Sequence, residues 1–305
     1  MPHGETAVGK TAASGESARR GAVDQSPRRF EPKPSARERA QKPADVTRHL
    51  HAPRLSLRFL QVWRRNFLVW RKLAIPSMLG NLADPMLYMF GLGYGLGSLL
   101  PEVDGKPYIT FLAAGTVCYS TMNSATFEAL YSAFSRMHVQ KTWTAILNAP
   151  VDLDDVVLAE TAWAASKSVL SGLAILAVIW ILGISHSPLT LFLIPLTLLI
   201  GLTFAGLGLT ITALSPSYDF FLYYFTLVIT PMVLLCGVFF PVNQLPPMLQ
   251  AVSACLPLTH AIDIARPLVN GEIPQSPLLH IAVLVAYGLL GFSLALVLTR
   301  RRLLT

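Results

Sequence analysis

From residue 73 onward the chain alternates long apolar runs with short polar breaks. Six runs, near 79–100, 108–133, 166–184, 189–214, 219–240 and 279–299, each hold about 18 to 25 mostly apolar residues. A helix rises about 1.5 Å per residue, so each run can cross a hydrocarbon layer of about 30 Å. Lipid offers the backbone no hydrogen-bond partners, so runs of this length fold as helices. The pattern predicts an all-α integral membrane protein whose membrane domain, residues 73–305, contains six transmembrane helices.

The pattern changes just before the first run. Over residues 54–72, Arg54, Arg58, Gln61, Arg65 and Lys72 fall on one face of a helix, while Leu55, Phe59, Val62, Trp63, Phe67 and Trp70 spread over the other. Asn66 is the exception on the apolar side. This predicts an amphipathic helix over 51–72 lying in the membrane interface, with Arg58 and Arg65 on its basic face and Trp63 and Trp70 on its apolar face. A flank that only sets topology would need the charges but not the periodicity.

Two polar breaks stand out. The first, 136–165, separates the second and third runs. Within it Trp143, Ile146 and Leu147 make an apolar helix face that stops at Asn148-Ala149-Pro150, and the carboxylates of Asp152, Asp154, Asp155 and Glu160 follow. Such a segment reads as an element that docks a partner, with Trp143, Ile146, Leu147, Asn148 and Pro150 as its working part. The second lies between the fifth and sixth runs and is broken by seven prolines, yet it stays apolar. Its stretches, such as Met248–Leu258, are too short to cross the bilayer and too apolar for a free loop, so they predict short re-entrant or interfacial helices. His260, Asp263 and Arg266 recur there at three-residue spacing on one helix face. They read as a polar network holding a gate; a catalytic His/Asp pair is the alternative, without a nucleophile motif beside it.

Composition agrees with the pattern. Hydrophobic residues make up 53% of the chain and charged residues 13%, well below the roughly 25% charged share of soluble domains. Of the 24 Lys and Arg, 22 lie on the side that holds both termini and the 136–165 break; only Lys106 and Arg266 lie opposite. Basic segments resist translocation, which predicts cytoplasmic termini at both ends. The net charge of +7 then reflects attraction to anionic lipid, and nucleic acid need not be invoked. The three cysteines form no CxxC or His/Cys cluster, so neither a metal site nor a disulfide is expected, and no cofactor either.

Residues 1–50 are rich in Ala, Ser, Pro, Arg, Glu and Gly, which predicts a disordered basic extension and not a secretory signal. Gly4-Glu5-Thr6-Ala7-Val8-Gly9-Lys10-Thr11 matches the P-loop spelling. It lacks the preceding strand that a phosphate cradle requires, so no nucleotide site is expected. Asp84-Pro85 reads equally as a helix cap or as a functional ionisable group in the first span. Gly91/Gly95, Gly93/Gly97 and the set Gly201, Ala205 and Gly208 permit close helix contact. Tyr88, Tyr94, Tyr223 and Tyr224 suit either sugar stacking or the membrane interface.

The segments WRRNFLVWRKLA, RMHVQKTWTAILNAPVDLDDVVLAE and, above all, CLPLTHAIDIARPLVNGE resemble the type 2 ABC exporter permeases, and the likeness runs from about residue 54 to the end. The resemblance implies a permease subunit with no catalytic site of its own. Two such subunits would pair with two copies of a separate ATPase in the bacterial inner membrane. In the nodulation branch of the family, which is the most similar, the ATPase is nodulation protein I and the cargo a lipo-chitooligosaccharide, an amphiphilic glycolipid. The Trp143–Pro150 element and the 54–72 helix would receive the stroke of the ATPase. Rival readings are the same scaffold with a polysaccharide, lipid or drug as cargo, a proton-coupled secondary transporter, or a membrane acyltransferase.

Overall fold

The computed structural model describes residues 56–99, 102–103 and 105–304. The expectations for residues 1–50, for Arg54 and Leu55, and for the side chain of Asp84 fall outside that set. Helix α1, Phe59–Arg71, precedes α2, Ala74–Gly95, which carries Pro85 inside it. A two-residue antiparallel hairpin, Glu102–Val103 with Lys106–Pro107, is the one departure from all-α structure among the described residues. Helix α3, Tyr108–Phe127, continues through two wide π turns, Glu128–Ser132 and Ser135–Val139. A short helix α4, Thr142–Ile146, leads to the long α5, Leu153–Ile181. Helix α6, Leu193–Leu214, follows a 3-10 turn. Helices α7, Asp219–Tyr224, and α8, Thr230–Leu235, are joined by a π turn. Helices α9, Pro247–Cys255, and α10, Pro257–Asn270, precede the last helix α11, Pro277–Leu304.

The apolar runs therefore became helices, with shifted edges. Against the six expected spans, three helical stretches among the described residues, Leu153–Ile181, Pro188–Leu214 and Pro277–Leu303, are each long and apolar enough to cross a membrane, and four are if α9 and α10 count as one broken span. The chain is an all-α, multi-pass membrane protein. The largest shift is at α5, which starts at Leu153 and draws Asp154, Asp155 and Glu160 into a helix. Asp154 and Asp155 occupy its first turn, where carboxylates meet the positive end of the helix dipole.

The main core is built from α3, α5, α6, α10 and α11. Helix α10 is part of it although its segment is broken by prolines. Leu258, Ala261, Ile262, Ala265, Leu268 and Val269 recur at helical spacing and are all buried. Pro257 disfavours helical geometry at the preceding residue, and Leu256 is extended, so α9 and α10 meet at a bend of 89°.

Helices α6 and α11 touch backbone to backbone. A Cβ placed on Gly206 would lie 2.9 Å from the Phe292 nitrogen, and one on Gly291 would lie 2.7 Å from the Leu207 nitrogen. Two threonine hydroxyls fasten the pair: Thr203 Oγ1 donates to the Leu284 carbonyl at 3.0 Å and Thr210 Oγ1 to the Gly291 carbonyl at 2.8 Å. Gly208 is filled against Ala129 in the same way, whereas Gly91 and Gly95 on α2 have nothing within 4 Å. The fourth run's small residues are thus used within the chain, and the Gly91/Gly95 face is open.

Candidate functional site

Part of the 136–165 break, Arg136, Trp143, Asp154, Asp155 and Glu160, turns inward and assembles with α1, α3 and α5 at the Lys/Arg-rich end. Glu128 and Glu160 are 3% and 2% exposed, and an unpaired carboxylate at that depth would be strongly unfavourable. Each is held by several donors. Arg136 Nε reaches Glu160 at 3.0 and 3.1 Å, and its Nη2 reaches Glu128 at 2.9 Å. Lys167 Nζ donates to Glu128 at 2.8 Å. Two carboxylates thus face two cations, and the cluster is close to neutral.

Indole and amide groups complete it. Trp163 Nε1 donates to Glu128 at 2.8 Å, Trp143 Nε1 to Glu160 at 3.2 Å, and Asn66 Nδ2 to Glu160 at 3.2 Å. Asn66, the exception on the apolar face of α1, is thereby the residue that plugs α1 into the cluster. Burial alone would lower the pKa of Arg136, yet the attraction of Glu160 and then of Glu128 raises it overall, so it stays charged. Arg65, which donates to Asn66 at 3.0 Å, is lowered by burial and by the like charge of Arg136. The wide turns at Glu128–Ser132 and Ser135–Val139 set the register that brings Glu128 and Arg136 together. Thr212 of α6 donates to the Ala129 carbonyl within the first of them at 2.6 Å.

The expected docking residues divide into an anchor and a tip. Trp143 is 1% exposed and belongs to a second core cluster with Ala129, Phe134 and Leu153. Ile146 and Leu147 are half-buried against that cluster, while Asn148, Ala149 and Pro150 are exposed. Helix α1 is tied to the tip and to α5. Arg58 donates to the Pro150 carbonyl, the Ser56 backbone and hydroxyl donate to Asp155 at 2.7 and 2.6 Å, and Trp63 Nε1 donates to Ser166 at 3.1 Å. The rings of Trp63, Phe67 and Trp70 close around Trp163 with centroids 5.8 to 6.4 Å away. The other faces of α1 expose Leu60, Leu68 and Val69, and Leu57 just before it is exposed too. A second buried pair, Arg300 with Asp154 at 2.8 Å, joins the end of α11 to the start of α5.

The residues of the second break take different hydrogen-bond partners, although the charges of His280, Arg266 and His260 all act on Asp263. Arg266 donates to the Gly237 carbonyl and lies 3.8 Å over the ring of Phe111. His260 instead meets His280 of α11, with Asp263 close by.

Glu128, Lys167, Arg300 and His280 were not singled out from sequence as site residues, and Asp154 and Glu160 only as members of the run of carboxylates after Pro150. Glu128 had a signal, since an ionisable residue inside an apolar run marks a functional or paired position. The partners of the others come from segments 17 to 146 residues away, and no local pattern reveals that.

The chain matches the family model described as ABC-2 type transporter over residues 58–269. It is 49% identical to nodulation protein J of Rhizobium leguminosarum bv. viciae over 83% of this chain and 97% of the relative. It is also 49% identical to nodulation protein J of Rhizobium meliloti (strain 1021), over 81% of this chain and 94% of that one. Nodulation protein J of Bradyrhizobium diazoefficiens is 49% identical over 80% and 93%.

Proposed function

The chain belongs to the ABC-2 type transporter family, and from that premise we propose that it is the permease subunit of an exporter that carries a lipo-chitooligosaccharide, or a closely similar amphiphilic glycolipid, across the bacterial inner membrane. In this reading six helices span the membrane, α1 lies in the cytoplasmic interface, both termini are cytoplasmic, and α9 with α10 re-enters from the outer side. Two copies of the chain pair with two copies of an ATPase of the nodulation protein I type. The Lys/Arg distribution supports the orientation, and the exposed Leu60, Leu68 and Val69 on α1 support its contact with lipid. The open Gly91/Gly95 face of α2 supports pairing with a second copy there.

The observation that carries the mechanism is the buried cluster of Glu128, Arg136, Glu160 and Lys167. The exposed tip Asn148–Pro150 is bonded to α1, and both α1 and Trp143 are bonded to Glu160 of α5. A push by the ATPase on the tip therefore moves α1 and α5 together, because separating them would take the Asn66 and Ser56 donors from the buried carboxylates of Glu160 and Asp155. Coupling then consists of ATP binding favouring one of two arrangements of these helices. Between α2, α3 and the α7–α8 run lies a cavity of about 340 Å³ with Tyr88, Tyr119, Phe127, Phe225 and Phe239 on its walls, and such rings suit stacking on sugars.

The test is export by cells carrying this chain and its ATPase. Lipo-chitooligosaccharide should leave the cell with the wild-type pair, and export should stop when the ATPase is disabled. Export that survives a dead ATPase and collapses with the proton gradient would sink the reading. Export of a different cargo alone would refute the substrate and leave the permease.

A further inference from the structure

We infer that His260, Asp263 and His280 form a binding site for a divalent transition-metal ion of the zinc class, which pins α10 to the start of α11. The site lies at the opposite end of α11 from Arg300, far from the charge cluster, and its existence does not depend on which cargo is exported. Asp263 follows His260 by three residues, so α10 presents both on neighbouring positions of one face. His280 comes from the first turn of α11.

The geometry is that of ligands gathered around a point. His260 Nδ1 and His280 Nδ1 are 2.8 Å apart, His280 Nδ1 and Asp263 Oδ2 are 3.9 Å apart, and one ligand atom from each of the three residues lies within 4.8 Å of the others. Metal–ligand bonds of about 2.0–2.2 Å in tetrahedral geometry place donor atoms roughly 3.4 Å apart. The 2.8 Å distance must open and the 3.9 Å distance close, each by about half an ångström, and the third, which lies within 4.8 Å, must close by up to about 1.4 Å. Asp263 is 42% exposed and His280 17%, so the side chains have room to move and an ion has a way in.

His260 is also oriented as a metal-bound histidine is. Its Nε2 lies 3.1 Å from the Ala254 carbonyl. A carbonyl can only accept, so Nε2 carries the hydrogen and Nδ1 of the neutral ring is left with its lone pair facing His280. A backbone carbonyl holding the far nitrogen of a ligating imidazole is the common outer-shell arrangement. Without metal, His280 Nδ1–H donates to that lone pair. With metal, His280 takes the other tautomer and both lone pairs point at the ion. Two imidazoles and one carboxylate select zinc-class ions over magnesium or calcium, which prefer all-oxygen sites. Three protein ligands leave one position for water.

The untagged full-length chain, stripped with chelator and placed in lipid nanodiscs, should bind one Zn²⁺ in competition with a chromophoric indicator. Its unfolding temperature should rise with Zn²⁺, because an ion that binds only the folded state stabilises it. His280→Gln should keep the metal-free unfolding temperature, lose the rise, and weaken Zn²⁺ binding by more than about 100-fold, with Asp263→Asn weakening it by at least about 10-fold. Co²⁺ should give the visible absorption of a four-coordinate site in the wild type only. The inference is overturned if the wild type binds no Zn²⁺ above the His280→Gln background, or if Zn²⁺ shifts both unfolding temperatures equally.

Discussion

At the scale of single residues, Glu160 is where three parts of the chain converge. It accepts from Arg136, Trp143 and Asn66, and so receives three bonds from the second π turn and one each from α4 and α1. Glu160→Gln keeps the shape and removes the charge, leaving Arg136 and Lys167 to share Glu128 alone. The expected loss is about 3 kcal/mol of stability, as for removing one partner of a buried pair. Thermal unfolding of the purified variant would measure it, and the double variant Glu160→Gln/Arg136→Met should regain part of the loss. A single variant as stable as the wild type would show that water enters the cluster. Glu160 was legible in sequence only as one of four carboxylates following Pro150. Its depth was not, because burial of a charge depends on cations that the chain brings in from elsewhere.

At the scale of elements, the six apolar runs were readable because length and hydropathy are local properties. The edges were not: α5 begins at Leu153, inside what reads as a polar break, since Asp154 is paired with Arg300 and Asp155 accepts two hydrogen bonds from Ser56. Trp143 reads as part of a docking face and is instead its anchor, while the tip Asn148–Pro150 faces outward. Ile146 and Leu147 lie between anchor and tip. Replacing both with Asp should leave the chain inserted and reduce export per ATP hydrolysed by about tenfold or more, a cost of about 1.4 kcal/mol in coupling. Parallel measurement of hydrolysis and export decides this; an unchanged ratio would remove the element from the stroke. The glycines make a second contrast. Gly206→Ala drives a methyl into the backbone of α11 and should cost about 1–3 kcal/mol. Gly91→Leu, on the open face of α2, should leave the unfolding temperature of the chain unchanged and lower the yield of cross-linked dimer.

At the scale of the whole molecule, the two ends hold their helices by different means. The basic end uses buried charges that bond α1, α3, α4 and α5 into one unit. The other end has imidazoles and a carboxylate between α10 and α11, which a metal ion would draw together. Between them runs the seam of α6 and α11, where Gly206 and Gly291 put backbone against backbone and Thr203 and Thr210 bond across. Side chains can slide over one another by changing rotamer; two main chains in contact have no such slack. An exporter that rocks needs a post as well as a lever, and this seam is stiff enough to be the post. Movement during a cycle is then confined to the helices that swing around it, and a cross-link between α6 and α11 should leave transport running where one between α1 and α5 stalls it.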